Sequence, residues 1–169
     1  MQIKVIPATQ DQQPILANLI ELYAHDFSEM ADLQLNSSGR FGYAPLPLYW
    51  QQPNRHPFLV TVDGRLAGFA LVKQGSEISE DKDIWDVAEF FIVRRYRRHG
   101  VGKIVAHEIW KTFPGRWEVR VLERNQTGLA FWNRAIASFV GTSVTAAVSN
   151  INNNLWHVFS FDSAHGNPN

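Results

Sequence analysis

The sequence predicts an α/β fold in which helices cover a mixed β-sheet. Two apolar strand patterns, 58–62 and 66–72, flank the dipeptide Asp63-Gly64, a strong short-range signal for a β-hairpin. Two strand–helix units follow this hairpin, and a strand that leads into a helix is typical of a sheet with helices packed on it. The predicted order of elements is β-α-loop-β-β-β-α-β-α-β-β.

The first half of the chain contains a strand, a helix and a long loop. The strand is predicted at 3–6. A helix is expected after Thr9, which is spaced from Gln12 as in a capping box, and apolar residues at helical spacing continue to Phe27. The periodicity fails from 31 to 57, and this loop is rich in aromatic residues. They either line a substrate pocket or pack the loop itself; they are Phe41, Tyr43, Tyr49 and Trp50.

The second half predicts four more strands and two more helices. The strands are placed at 86–93, 117–122, 142–148 and 155–161, and the helices at 102–113 and 127–137. A turn at 150–154 joins the last two strands. We expect one domain over residues 1–162, followed by a polar, disordered tail at 163–169.

The composition narrows the class of protein. Of the 169 residues, 45% are hydrophobic and 19% are charged, the formal net charge is zero, and there is no cysteine. Zero net charge argues against a nucleic-acid partner, and the lack of cysteine excludes disulfides, thiolate zinc sites and a cysteine nucleophile. The first residues show no signal-peptide pattern, and no apolar stretch approaches the length of a membrane span. We therefore expect a cytoplasmic protein with no metal and no membrane contact.

A glycine-containing turn between a strand and a helix is the most informative motif. Arg97-Arg98-His99-Gly100-Val101-Gly102 follows the apolar strand pattern 87–93 and precedes the helix pattern. Glycine lets the backbone approach an anion closely, and the N–H groups of the first helical turn attract phosphate together with the helix dipole. The turn predicts a phosphate-bearing cofactor. It lacks the third glycine of a dinucleotide fold and the Ser or Thr of a P-loop.

This turn and the residues after the next strand resemble the GNAT superfamily of N-acetyltransferases. The acyl-coenzyme A pyrophosphate loop of the family is matched by Tyr96, Arg97, Gly100 and Gly102. The asparagine that ends the family's fifth strand, and the small, aromatic and basic residues of the next helix, are matched by Asn125, Gly128, Phe131, Trp132 and Arg134. The particular sequence resembles bacterial members without an assigned substrate.

The resemblance implies a GNAT-like sheet that is mostly antiparallel, with splayed fourth and fifth strands and helices on both faces. It also implies acetyl-coenzyme A (acetyl-CoA) as co-substrate. Its pantetheine arm is expected along the backbone of Phe91, Ile92 and Val93 and beside Asn125. The expected pyrophosphate contacts are Arg97, Arg98, His99, Gly100, Val101, Gly102 and Lys103. Gly128, Phe131 and Trp132 complete the expected cofactor site.

The implied activity is direct transfer of an acetyl group to a primary amine of a small molecule or peptide, by a monomer or homodimer. Trp132 stands where the family often has a tyrosine that protonates the departing thiolate, and an indole is no useful acid. A non-catalytic acyl-CoA sensor is therefore the alternative function.

Two carboxylates of the fourth strand are candidates for the base that deprotonates the amine. Strand alternation places Glu89 and Asp86 on opposite faces of the sheet. Glu89 lies in an otherwise apolar run, so it is either desolvated, with a raised pKa that suits a general base, or paired with an arginine. Asp86 acting through water is the other possibility.

Overall fold

The protein folds around one seven-stranded sheet, and the computed structural model describes residues 1–165. The strands are β1 Ile3–Pro7, β2 Arg55–Val62, β3 Arg65–Gln74, β4 Trp85–Ile92, β5 Arg116–Leu122, β6 Ala147–Ile151 and β7 Asn154–Asp162. Their spatial order is β1-β2-β3-β4-β5-β7-β6. Each neighbouring pair is antiparallel except β4–β5, which is parallel. The predicted mixed, mostly antiparallel fold is confirmed.

Helices cover both faces of this sheet, as predicted. Within residues 1–165 the α-helices are α1 Gln13–Phe27, α2 Leu48–Gln51, α3 Val101–Thr112 and α4 Gln126–Val140. One core lies under α1 and α2, where Leu16 and Tyr49 share a buried cluster with Phe69 of β3. The other lies under α3 and α4, where Trp110 and Ile136 share a cluster with strand residues of the opposite face. The sheet therefore separates an α1 side from an α3–α4 side.

The C-terminal hairpin differs from its prediction. The strand expected at 142–148 is β6, Ala147–Ile151, and the turn to β7 is made by Asn152 and Asn153, which both have positive φ. The apolar alternation at Val144 and Ala146 misled the prediction, because these residues pack on the core without being part of a strand. A tight turn sets the register of a hairpin, so the asparagines decide which residues pair.

The end of the domain also lies later than expected. Ser163, assigned to the tail from sequence, is buried and exchanges hydrogen bonds with Gly115: its N–H donates to the Gly115 carbonyl at 2.8 Å, and its hydroxyl accepts from the Gly115 N–H at 3.1 Å. The tail residues 166–169 lie outside the described residues.

The fourth and fifth strands diverge, and this opens a gap in the sheet. β4 and β5 pair at two positions, Trp85 with Trp117 and Asp86 with Glu118. Beyond them β4 continues to pair with β3 as far as Ile92, while β5 continues to pair with β7. The facing edges of β4 and β5 are thus left without a strand partner, as the GNAT resemblance implied.

Candidate active site

A bulge in β4 places both candidate carboxylates on the same face of the sheet. The β3–β4 register shifts so that Leu71 faces Glu89 and Val72 faces Val87, which leaves Ala88 as the extra residue. Asp86 faces Lys73, two residues from Leu71 on β3, and such residues share a face. The prediction that Glu89 and Asp86 lie on opposite faces is therefore wrong. Strict alternation fails at the bulge, and both carboxylates belong to the α1 side.

A cavity of about 200 Å³ occupies the gap between β4 and β5. On the α3–α4 side its lining is apolar and comes from Val87, Phe90, Val119, Val121 and Trp132. On the α1 side its lining is mixed and comes from Tyr23, Phe27, Ala88, Glu89, Arg120, Leu122 and Trp156. Asn125, the N-cap residue of α4, also lines the cavity. The gap thus connects an apolar side with a polar, aromatic side.

Two tyrosine hydroxyls lie beside Glu89. They belong to Tyr23 of α1 and Tyr43 of the loop at 31–57, and both are close enough to the carboxylate to lower its pKa. Burial raises the pKa of Glu89 above its ordinary value of 4.5, and the nearby tyrosine hydroxyls and the charge of Arg120 offset only part of this rise. A carboxylate with a raised pKa that lines a cavity has the properties of a general base.

Asp86 forms a buried ion pair. Its side chain is fully buried, and Arg120 Nη2 lies 2.8 Å from Asp86 Oδ2 while Arg120 Nε lies 3.4 Å from Oδ1. Lys73 Nζ is 3.9 Å from the same Oδ2. The arginine pairing considered for Glu89 from sequence is therefore made by Asp86, and both of its oxygens are occupied. This leaves Glu89 as the carboxylate that faces the cavity.

Two site residues, Arg120 and Tyr23, were not predicted from the sequence. Arg120 alternates with buried Trp117, Val119 and Val121 along β5. A charge within such an alternation was a signal for a polar partner across the gap. Tyr23 was interpreted as part of the apolar face of α1, and its pattern held no sign that its hydroxyl reaches Glu89.

The glycine turn leads into the N-terminus of α3 and its backbone donors. Gly100 precedes α3 with φ 79° and Arg98 has φ 64°, so the chain turns sharply before the helix. The first hydrogen bond into the helix is from the Ile104 N–H to the Gly100 carbonyl at 3.1 Å. The N–H groups in the first turn of an α-helix have no acceptor within the helix, so those at the start of α3 are available to an anion. Such a cluster at a helix N-terminus is suited to bind phosphate.

The Arg97 side chain braces the turn instead of pointing outward. Its Nε donates to the Ile92 carbonyl at 2.6 Å, and its Nη2 donates to Asp26 Oδ2 at 2.7 Å. Asp26 also accepts from Arg94 Nη2 at 2.6 Å. Arg97 therefore links α1, the end of β4 and the glycine turn, and its contribution to a phosphate site is to fix the turn.

The two matched glycines of the helices serve packing. A Cβ at Gly102 would lie 3.1 Å from the Phe131 ring, so α3 and α4 approach closely there. The Gly128 N–H donates to Asn125 Oδ1 at 2.8 Å, which caps α4, and a Cβ at Gly128 would overlap the Asn125 side chain. The structure thus pairs Gly102 with Phe131 and Gly128 with Asn125, and Asn125 lines the cavity. The Asn125 Nδ2 donor remains for a ligand.

The pairing of β4 with β3 decides which backbone N–H groups of β4 are free to bind a cofactor. The Val93 N–H donates to the Ala67 carbonyl at 2.8 Å, so it is not free for a cofactor as was expected from the sequence. Successive N–H groups along a strand point to opposite edges, which turns the Ile92 N–H toward the gap and the Phe91 N–H toward β3. Of Phe91, Ile92 and Val93, Ile92 is therefore the residue whose N–H faces the gap between β4 and β5.

The aromatic loop contributes one residue to the Glu89 site. Tyr43 reaches Glu89, whereas the Trp50 indole donates to the Ala8 carbonyl at 2.9 Å and holds the loop to the end of β1. Within residues 1–165 the buried Tyr49 hydroxyl makes no hydrogen bond, and burial raises its pKa to about 12. The backbone N–H of Phe41 donates to the Glu21 carboxylate at 2.9 Å and anchors the loop on α1. These contacts favour loop packing for Trp50 and Phe41.

The family of the chain follows from a comparison with known protein families. The model of the acetyltransferase (GNAT) family matches residues 16–136. The chain belongs to this family. The match spans β4, the glycine turn, α3 and β5, which together form the gap and the free N–H groups described above. The protein is therefore a GNAT-family N-acetyltransferase, as the sequence resemblance implied.

Solved structures of other acetyltransferases share the GNAT fold at low identity. An acetyltransferase from Thermus thermophilus is 16% identical with a TM-score of 0.69, over 96% of this chain and 97% of that chain. The ribosomal-protein-S18-alanine N-acetyltransferase from Escherichia coli is 12% identical with a TM-score of 0.64, over 99% and 98%. An aminoglycoside acetyltransferase in complex with coenzyme A is 10% identical with a TM-score of 0.71, over 95% of each chain. No curated protein sequence matches the chain.

The described residues contain neither a membrane-spanning helix nor a cluster of potential metal ligands. No helix in residues 1–165 is both long and apolar enough to cross a bilayer. The same residues contain no group of three or more potential metal-ligating His, Asp or Glu side chains.

Proposed function

We propose that this GNAT protein transfers the acetyl group of acetyl-CoA directly to a primary amine, with Glu89 as the general base. The observation that carries the proposal is the cavity through the β4–β5 gap. It places the Glu89 carboxylate and the free edge of β4 in the same cavity, open to an apolar side and a polar side.

The cofactor would be held by backbone and side-chain donors around the gap. The N–H groups of the glycine turn and of the first turn of α3 would bind the pyrophosphate, and the Asn125 Nδ2 would hydrogen-bond the pantetheine arm. Phe90 and Trp132, whose ring centroids are 5.0 Å apart, would pack along that arm. The Ile92 N–H would donate to the thioester oxygen and polarise the carbonyl.

Glu89 would accept the proton that the substrate ammonium loses when it becomes a nucleophilic amine. The amine nitrogen then attacks the thioester carbon, the N–C bond forms, and the C–S bond breaks. The second amine proton neutralises the departing thiolate, directly or through solvent. This sequence needs no separate acid, which fits Trp132 at the position where the family often has tyrosine.

Direct transfer is favoured over a covalent acetyl-enzyme. The chain has no cysteine, and the described cavity lining contains no Ser, Thr or Lys that could carry the acetyl group. An amine held beside Glu89 can reach the thioester without such a carrier.

Two measurements test the proposal. Coenzyme A should raise the melting temperature, because a ligand that binds only the native state stabilises it, and NAD and ATP should raise it much less. Thiol release from acetyl-CoA should then depend on an added primary amine. A larger shift with NAD would contradict the cofactor assignment, and binding without turnover on any amine would favour the acyl-CoA sensor.

A further inference from the structure

The α1 side of the cavity has an unusual combination of aromatic rings and charges. Tyr23 and Phe27 stack at 5.6 Å between ring centroids on α1, and Trp156 of β7 faces the same side because it pairs with Leu122 across β5–β7. Glu89 lies beside these rings. This side, which we call the aromatic mouth (Tyr23, Phe27, Glu89, Arg120, Trp156), lies across the sheet from the apolar wall assigned to the pantetheine arm.

The positive charge of Arg120 at the aromatic mouth is already neutralised. Asp86 contacts its guanidinium through both carboxylate oxygens, at 2.8 and 3.4 Å. Glu118, buried on the same face of β5, adds a second negative charge, which is itself hydrogen-bonded by Ser76 at 2.6 Å. Lys73, on β3, is paired with Asp86 and Glu77.

The local charges therefore disfavour an anionic substrate group. Arg120, Lys73 and Arg55, the cross-strand neighbour of Lys73, carry three positive charges, and Asp86, Glu118 and Glu77 carry three negative charges before Glu89 is counted. A carboxylate brought into the mouth would meet no unpaired cation within the described residues that line it, and it would lie near Glu89. Like charges that are brought together at a binding site cost several kcal/mol and exclude the wrong ligand.

We propose that the acceptor is a primary amine on an aromatic or other apolar stem with no carboxylate near the amine. This inference rests on the proposed acetyl transfer. The ammonium group would contact the faces of the aromatic rings and the Glu89 carboxylate, and the stem would fill the space between Tyr23, Phe27 and Trp156. Free amino acids and acidic peptides are excluded as good acceptors.

A matched set of acceptors tests the substrate class. 2-Phenylethylamine and phenylalanine share the ring and the amine and differ by the carboxylate, and phenylalaninamide carries a neutral amide at that position. We expect kcat/KM for 2-phenylethylamine to exceed that for phenylalanine by at least about tenfold, because of the like-charge repulsion, with phenylalaninamide closer to the amine. Equal or better use of phenylalanine would overturn the inference.

The same assay distinguishes the inference from the proposed function. If phenylalanine or another carboxylated amine is the preferred acceptor, acetyl transfer stands and the aromatic-mouth assignment fails. If coenzyme A binds but no amine is acetylated, the proposed function fails and the inference fails with it.

Substitutions of Trp156 and Asp86 test whether the aromatic mouth causes this acceptor preference. Trp156→Leu should raise KM for 2-phenylethylamine several-fold and leave KM for acetyl-CoA unchanged, because it removes one wall of the mouth. Leu155→Ala is the matched control, since Leu155 is the exposed neighbour on β7 that points to the opposite face. Asp86→Asn should unmask Arg120 and shift the kcat/KM ratio toward phenylalanine. An unchanged KM for 2-phenylethylamine in Trp156→Leu would contradict the proposal even if Asp86→Asn does not fold.

Discussion

The buried pair of Asp86 and Arg120 gives a quantitative test of the division of roles between the two carboxylates of β4. If Asp86 serves stability, Asp86→Asn should destabilise the fold strongly. The variant leaves the Arg120 guanidinium without its partner, although its side chain is only 18% exposed. Removing one member of a buried ion pair typically costs about 3–5 kcal/mol, because the remaining charge stays desolvated.

The expected cost lies at the lower end of that range. Arg120 retains some access to water, and Glu118 on the same face supplies another carboxylate, so a loss of about 3 kcal/mol is reasonable. For a domain of this size each kcal/mol lowers Tm by about 2–4 °C, which gives a decrease of roughly 6–12 °C. Thermal unfolding followed by circular dichroism at neutral pH measures it.

An exposed ion pair of the same length serves as the matched control. Arg116 Nη2 lies 2.8 Å from Asp81 Oδ2, the same separation as in the buried pair, but both side chains are solvent-exposed to a substantial degree. Asp81→Asn should scarcely change Tm, because water screens such pairs. A Tm for Asp86→Asn that falls no further than that of Asp81→Asn would refute the role of burial. Replacing both partners, in Asp86→Leu/Arg120→Met, should recover part of the loss.

Three further outcomes are expected. Gly68→Ala should lower both stability, by about 1–3 kcal/mol, and coenzyme A affinity, because its Cβ would overlap the Phe91 carbonyl oxygen and displace β4. Gly64→Ala, at φ 75° in the hairpin turn, should also lower Tm through backbone strain but should keep its coenzyme A affinity, so it is the control for a loss of stability alone. Gly100→Ala should weaken coenzyme A binding and lower Tm, because the backbone at this position has φ 79°, which costs alanine about 1–2 kcal/mol. An unchanged coenzyme A affinity would show that the turn does not bind the cofactor. Glu89→Gln should be more stable than the wild type at pH 7 and equal to it below pH 4.5. The raised pKa of Glu89 means that its ionisation is less favourable in the folded state than in the unfolded state. The loss of folding stability caused by this ionisation therefore grows as pH rises from 4.5 through the folded pKa and is complete above it. Urea unfolding across pH measures this difference, and a Glu89→Gln protein that is less stable at pH 7 would contradict it.

Features that depend on neighbouring residues in the chain were predictable from sequence. The Asp63-Gly64 hairpin and the glycine turn before α3 form where their local patterns place them, because turn geometry is decided by the residues in the turn. The resemblance to the GNAT family added the gap between β4 and β5, which no local pattern encodes.

Features that depend on pairing between distant strands were not predictable. The bulge at Ala88 follows from the register of β3 against β4, and it alone moves Asp86 and Glu89 to the same face. The partner of Asp86 lies 34 residues away on β5. The hydroxyl of Tyr23 lies beside Glu89 only because α1 packs over the gap, so the sequence could nominate the base but not the groups that surround it.

The turnover of Glu89→Gln tests the central claim most directly. The measurement is kcat for acetyl transfer to a primary amine, together with the dissociation constant for coenzyme A and Tm. A positioned base typically contributes about 10²–10⁴-fold, so kcat should fall by that factor, while coenzyme A affinity is retained and Tm does not fall. The defect should shrink as pH rises, because more of the amine is then deprotonated by solvent. A variant that keeps its kcat and loses Tm would show instead that Glu89 supports the fold and that the proton leaves the amine by another route.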